Sequence, residues 1–271
     1  MTVIKYHGGK YYLAKRIAAM MPRHSVYLEA FAGGLSVLFA KDGEGVAEFA
    51  NDLHGELTNF WRVLRDDFAG FYRIVQCTPL SECEFAAASF NAGDPVLRAV
   101  HYFIRARQSR QGIRKDYCTP TSRLRRGMNE NVSAWLTAVD GLPDVHARLR
   151  RVEVWNRPAV DAIRKLDREG LLVYADPPYV HETRSTTGEY GNYEMTLAHH
   201  VELLECLASM QGQFLLSGYR CQLYDDYAAT HGWQCTEFDL PNNASSKTAK
   251  QRKIECVWTS ELLKEIEVNC G

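Results

Sequence analysis

The chain has 271 residues, 46% hydrophobic and 24% charged, with a formal net charge of −1. That length supports one sizeable core with room for an inserted lobe, and the near-neutral charge excludes a uniformly basic nucleic-acid protein. Residues 1–21 carry a lysine or arginine every few positions and no continuous apolar stretch, so they read as neither signal peptide nor membrane anchor; the cytoplasm is the expected compartment. Eight cysteines without a C-x-x-C pair point to reduced structural thiols. Nine histidines offer no H-E-x-x-H and no paired metal spacing, so no metal is expected.

In chain order, Lys5-Tyr6-His7-Gly8-Gly9-Lys10 reads as a tight turn ahead of a helix. It is no Walker loop, because Ile4 stands where the first glycine is needed and Tyr11 follows the lysine. Val26 to Phe31 reads as a strand, Gly33-Gly34 as a turn, Leu35 to Lys41 as the start of a helix, and Gly45 to Ala50 as a second strand ending at Asn51-Asp52. Phe31-Ala32-Gly33-Gly34-Leu35 departs from G-x-G-x-x-G, so the expected ligand lacks a pyrophosphate. Asp52, nineteen positions after Gly33, suits an acid that hydrogen-bonds a ribose; a helix cap ahead of Leu53 is the structural alternative.

Strand signals then cease until residue 152. Helices are expected over Leu53–Asp66, after a capping box at Ser81 and Glu84, over Pro95–Arg110 and over Val132–Ala138, with a loop at 111–130. From Arg105 to Arg126 eight basic residues face one acid, Asp116, a one-signed run suited to a polyanion, though such runs also occur as solvated helix faces. Strands are expected at Val152–Trp155, Leu171–Ala175, Phe214–Ser217, Gln234–Asp239 and Ile254–Thr259, the first four separated by helices at 158–168, 197–210 and 220–230. This alternation predicts a doubly wound, largely parallel α/β sheet built from residues 1–52 and 151–271, with 53–150 as an inserted helical lobe.

The stretch Leu171 to Val180, LLVYADPPYV, begins as a strand covered on both faces and stops at Asp176. Two consecutive prolines continue neither strand nor helix, so Asp176-Pro177-Pro178-Tyr179 forms a stiff platform at the carboxyl end of a strand, where open α/β sheets bind ligands. The polar segment His181 to Tyr193 follows as a candidate lip, with Arg184 and Tyr190 as candidate ligand contacts and an inert surface loop as the alternative, and Ser217 ends a further strand at the same edge.

K-Y-H-G-G-K, E-A-F-A-G-G, N-D, a helical lobe and Y-A-D-P-P-Y, in this order, resemble the Dam-like, alpha-group DNA adenine-N6 methyltransferases over nearly the whole chain. The resemblance implies a Rossmann-like fold dependent on S-adenosylmethionine, with target recognition in the lobe and double-stranded DNA as partner. Position by position it implies that Tyr6 and Lys10 line the cofactor and target pocket, that Glu29, Phe31 and Gly33 border the methionine moiety, and that Asp52 holds the ribose. Asp176, Pro177 and Tyr179 are the implied catalytic corner, Asp176 also bordering the cofactor. Arg105, Arg110, Arg114, Arg123, Arg125, Arg126 and Arg184 are the candidate DNA contacts. Gly34-Leu35 departs from the small-residue-then-glycine form of many relatives, and no asparagine- and aromatic-rich stretch of the kind associated with GATC readers is found. A bacterial or phage-type cytoplasmic monomer is expected, with a dimer as the alternative and a cognate restriction endonuclease as a candidate partner. The rival readings are the same corner acting on cytosine N4, an RNA adenine or a protein glutamine, where serine or asparagine more often replaces the aspartate, and a DNA-binding protein that keeps the fold without turnover.

Overall fold

A computed structural model of the chain describes residues 3–6, 8–183, 193–241 and 252–260. In chain order its elements are α1 (Ala14–Ala19), β1 (Val26–Glu29), β2 (Ala47–Asn51), α2 (Gly55–Asp66), α3 (Phe68–Val75), α4 (Glu82–Ala87), α5 (Pro95–Gln108), β3 (Leu124–Arg125), β4 (Met128–Asn129), α6 (Glu130–Asp140), α7 (Leu142–Leu149), β5 (Val152–Trp155), α8 (Ala159–Leu166), β6 (Leu171–Ala175), α9 (Leu197–Ser209), β7 (Gln213–Gly218), α10 (Gln222–His231), β8 (Gln234–Pro241) and β9 (Arg252–Thr259). Seven strands form one sheet in the order β5-β2-β1-β6-β7-β9-β8, and β3 with β4 makes a small hairpin. β2–β5, β1–β6 and β6–β7 pair in parallel; β9 runs antiparallel to both β7 and β8. The expected doubly wound α/β sheet is the architecture, with its antiparallel pairs confined to one side.

Burial explains why β6 is an unbroken apolar run: each of its five residues is at most 1% exposed, as a strand covered on both faces requires. It lies between β1 and β7 and delivers Asp176 at its carboxyl end.

The chain divides into two compact units, Met1–Met20 with Ala32–Arg157, and Met21–Phe31 with Pro158–Gly271. In the first, α2 and α5 share an aromatic core in which Phe60 stacks on Tyr102 at 5.6 Å and on Phe103 at 6.1 Å. At the start of β2 the buried Glu48 binds Lys41 (2.7 Å) and Arg148 (2.7 Å). Burial alone would push its carboxyl up, but the two cations outweigh that and hold it below the usual carboxylate range. In the second unit, α9 opens with a reciprocal cap: Thr196 Oγ1 accepts from the His199 N–H and His199 Nδ1 accepts from the Thr196 N–H. The adjacent His200 is buried, 3.0 Å from the Tyr224 hydroxyl.

Three local expectations are revised. Residues 35–41 form successive turns instead of a regular helix, because Leu35 takes a left-handed φ of 52° that cannot open a right-handed helix. Helices α3 and α7 were not expected, and the basic loop ends in the β3–β4 hairpin, whose two linking residues, Arg126 and Gly127, have φ of 53° and 74°.

Candidate active site

The acid–proline corner belongs wholly to the second unit. Pro177 is buried, and Asp176 and Tyr179 are half-buried where β6 ends. The Tyr179 hydroxyl donates to Glu255 Oε1 on β9, and the Tyr219 ring stands edge-on to the Tyr179 ring, 4.7 Å away at 77°. Beneath the corner the buried Tyr174 and Ser217 hydroxyls meet at 2.9 Å, so Ser217 serves as an internal partner at the end of β7. Burial first, then the charge of Asp176, raises both the Tyr174 and Tyr179 phenols well above their ordinary value. Both phenols therefore keep their protons, and Tyr179 acts as a donor and a half-buried ring surface. Glu29, at the end of β1, is 2% exposed and accepts from the Tyr27 hydroxyl at 3.2 Å; Phe31, two residues on, is half-buried. A rigid carboxylate, a proline carbonyl and a braced flat ring can grip a planar amine.

The first unit holds the glycine-lysine segment and the Ala32-Gly33-Gly34-Leu35 turn. The Gly9 N–H donates to the Tyr6 carbonyl (3.1 Å) and the buried Lys10 ammonium to the Gly8 carbonyl (2.9 Å), closing the expected turn ahead of α1. Gly33 has a φ of +45°, and a Cβ there would sit 3.1 Å from the Tyr6 ring, so backbone and ring approach as only glycine permits. Asp52 fixes this loop: Oδ2 accepts from the Gly33 N–H (3.0 Å) and Oδ1 from the His54 N–H (2.9 Å). Trp61 Nε1 donates to the Gly33 carbonyl at 3.1 Å from the other side. A carboxylate offers about four acceptor directions, so Asp52 retains capacity for further donors. Burial pushes its pKa up; the Gly33 and His54 N–H groups and the Arg114 charge oppose that without reversing it. The helix cap falls to His54, whose Nδ1 accepts from the Leu57 N–H at 3.3 Å. Burial, then Arg114, lowers the His54 pKa to about 4.

The basic run divides by what its side chains already do. Arg105 donates to the Ala88 carbonyl (3.0 Å) and lies 4.5 Å over the Phe85 ring. Arg126 donates to the Ser133 hydroxyl and carbonyl (3.0 Å each) and to Thr137 (2.8 Å), pinning the hairpin to α6. Arg114, at a φ of 66°, donates to the Tyr102 hydroxyl (3.3 Å), its guanidinium 5.4 Å from that ring and 5.7 Å from Tyr6. It thus stands beside the Asp52 cluster. Gly112 explains how the loop gets there: a Cβ would sit 2.7 Å from the Lys5 carbonyl. Arg110, Arg123 and Arg125 are exposed, with no side-chain hydrogen bond or ion pair among the described residues. Leu124, between two of them, is 76% exposed. Arg184 and Tyr190 lie outside the described residues.

Glu255, Tyr219 and His54 are site residues that motif reading misses. Glu255 carried one usable signal, an acid inside the apolar strand Ile254 to Trp258, where an unexplained carboxylate invites a search for its partner.

Among the described residues no cluster of three or more histidine, cysteine, aspartate or glutamate side chains is placed to hold a metal, and no helix is long and apolar enough to cross a membrane. The sheet with an acid-proline corner at a central strand end defines a Rossmann-like methyltransferase fold. The family model of the D12 class N6 adenine-specific DNA methyltransferases matches residues 6–239, and the chain belongs to that family. No curated protein matches the chain.

Proposed function

We propose that the chain transfers a methyl group from S-adenosylmethionine to N6 of an adenine flipped out of double-stranded DNA. The observation that carries this reading is the corner after β6, where Asp176 and Pro177 stand on a rigid turn beside the braced Tyr179 ring. The Gly33–Tyr6 approach and the acceptor capacity left on Asp52 suit a nucleoside without a pyrophosphate, so Asp52 would hold the ribose. Tyr6, Lys10, Glu29, Phe31 and Gly33 would border the remainder of the cofactor. When bound, S-adenosylmethionine supplies an electrophilic methyl group on a sulfonium.

The amine of adenine is a poor nucleophile because its lone pair is delocalised into the ring. The Asp176 carboxylate and the Pro177 carbonyl, each accepting one N–H, let that nitrogen become tetrahedral and free its lone pair. Positive charge then grows on the nitrogen, and a fixed carboxylate stabilises that charge more in the transition state than in the ground state. The Tyr179 ring receives the base face; stacking of roughly 1–3 kcal/mol offsets an extrusion cost of a few kcal/mol. Residues 53–150 would carry target recognition, with the exposed Arg110, Arg123 and Arg125 on phosphates and Arg184 as a further contact. A cytoplasmic monomer, with or without a cognate restriction endonuclease, completes the proposal.

The test combines a tritiated-methyl transfer assay with digestion of the product DNA to nucleosides. Wild-type protein should yield N6-methyladenine, and Asp176→Ala should lose about 10²- to 10³-fold in rate while keeping its circular dichroism spectrum. Near-normal turnover by Asp176→Ala would refute the assignment, and label found on cytosine N4 would replace the substrate.

A further inference from the structure

We infer that Glu255 is a positioning residue for methyl transfer, acting through Tyr179: its carboxylate fixes the phenol against the target base and enriches the electron density of the ring face. The inference rests on the corner reading given above. Glu255 lies 76 residues from Tyr179 in sequence yet accepts the hydrogen bond its hydroxyl donates. It is 7% exposed on β9, opposite Phe238 of β8, and the next three residues, Cys256, Val257 and Trp258, are fully buried. An acid on such a strand is costly to bury, and a charge-assisted hydrogen bond from a phenol offsets part of that cost.

The ring is braced from two directions: Glu255 takes the hydrogen bond of its hydroxyl and fixes the para end, and the Tyr219 ring meets it edge-on at 77°. Ring and carboxylate also share an electronic consequence. Donation of the hydroxyl proton toward a carboxylate pushes density into the ring, and an aromatic face attracts cations through its quadrupole. The target base is neutral when it stacks and positive as its N6 accepts the methyl. The attraction is therefore greater in the transition state, which places the effect of Glu255 on kcat and leaves ground-state binding nearly unchanged. The burial that raises the Tyr179 phenol keeps its proton in place, so the pair works as a strong hydrogen bond and forms no phenolate.

Glu255→Gln keeps shape and volume, Tyr179→Phe removes one oxygen, and the double variant closes a cycle. In single-turnover transfer of labelled methyl to duplex DNA, each single variant should slow the step about ten-fold, with cofactor Kd and KM for DNA within about two-fold of wild type. The double variant should be no slower than Tyr179→Phe alone, because both changes act on one interaction: glutamine keeps an acceptor oxygen but loses the charge, and phenylalanine removes the donor. A wild-type rate for Glu255→Gln, or losses that multiply to about a hundred-fold in the double variant, would overturn the inference. Asp176→Ala, run alongside, separates the levels: its inactivity beside an unimpaired Glu255→Gln overturns this inference alone, whereas its retained turnover overturns the corner and Glu255 together.

Discussion

At the residue scale, Asp52 shows how one carboxylate is built into a loop and still has acceptor directions left over for the proposed ribose. Its two oxygens fix the Gly33 and His54 amides, and Arg114 supplies the nearby positive charge. Because burial raises its pKa, Asp52 protonates at a higher pH than an ordinary carboxylate on acidification and then loses acceptor strength toward a ribose. Cofactor affinity measured by calorimetry should fall as pH is lowered, starting above the usual carboxylate range. Arg114→Gln, which removes an opposing charge, should move that fall to still higher pH; a curve unmoved by Arg114→Gln, or no fall at all, would remove Asp52 from the ribose role. Asp52 was legible in sequence because its distance from Gly33 follows from a strand-turn-strand repeat. Arg114 was not: its position depends on a left-handed backbone and on Gly112 seating against Lys5, and neither leaves a spacing rule behind.

At the element scale, α2 depends on an uncommon cap. His54 Nδ1 accepts the Leu57 amide only while the ring is neutral, and burial together with Arg114 holds its pKa near 4. A depressed histidine contributes stability that is fully present above its unfolded value of 6.5 and is lost as pH falls toward about 4. At about 1.4 kcal/mol per pH unit the loss reaches up to roughly 3 kcal/mol. Denaturant unfolding at pH 7 and pH 5 should show the acid loss in wild type and a flatter response in His54→Asn, since asparagine caps without titrating. Equal slopes in the two proteins would show that His54 does not carry this term. β5 and β6 have the boundaries read from sequence: β6 because a fully buried apolar run flanked by turn residues admits few alternatives, β5 because β-branched and aromatic residues alternate with one acid between turn residues. The β3–β4 hairpin escaped notice because its strands have two residues each and its Arg126-Gly127 turn lacks the usual asparagine or aspartate. The turns at 35–41 escaped for the opposite reason: the residues suit a helix, and only the left-handed Leu35 prevents one.

Across the whole molecule, a net charge of −1 has to be reconciled with a polyanionic substrate. The eight basic residues between 105 and 126 do not act alike, since Arg105, Arg114 and Arg126 are committed to internal partners, and the half-buried Arg107 donates to the Ala134 carbonyl, its pKa lowered to about 10 by desolvation. Side chains committed in this way shape the surface, and the exposed ones are those free to meet phosphates under the proposed reading. Each neutralised phosphate steepens the fall of log K with log salt by about 0.9, so the number of working arginines is measurable. Replacing Arg123 and Arg125 together with alanine should therefore flatten the salt dependence of duplex binding by about two units while leaving thermal stability near wild type. Arg126→Ala should do the reverse, lowering the melting temperature through its lost contacts to Ser133 and Thr137 before it changes the slope. If the Arg123 and Arg125 pair leaves the slope unchanged, the hairpin does not face the backbone, and the local positive charge serves the fold alone.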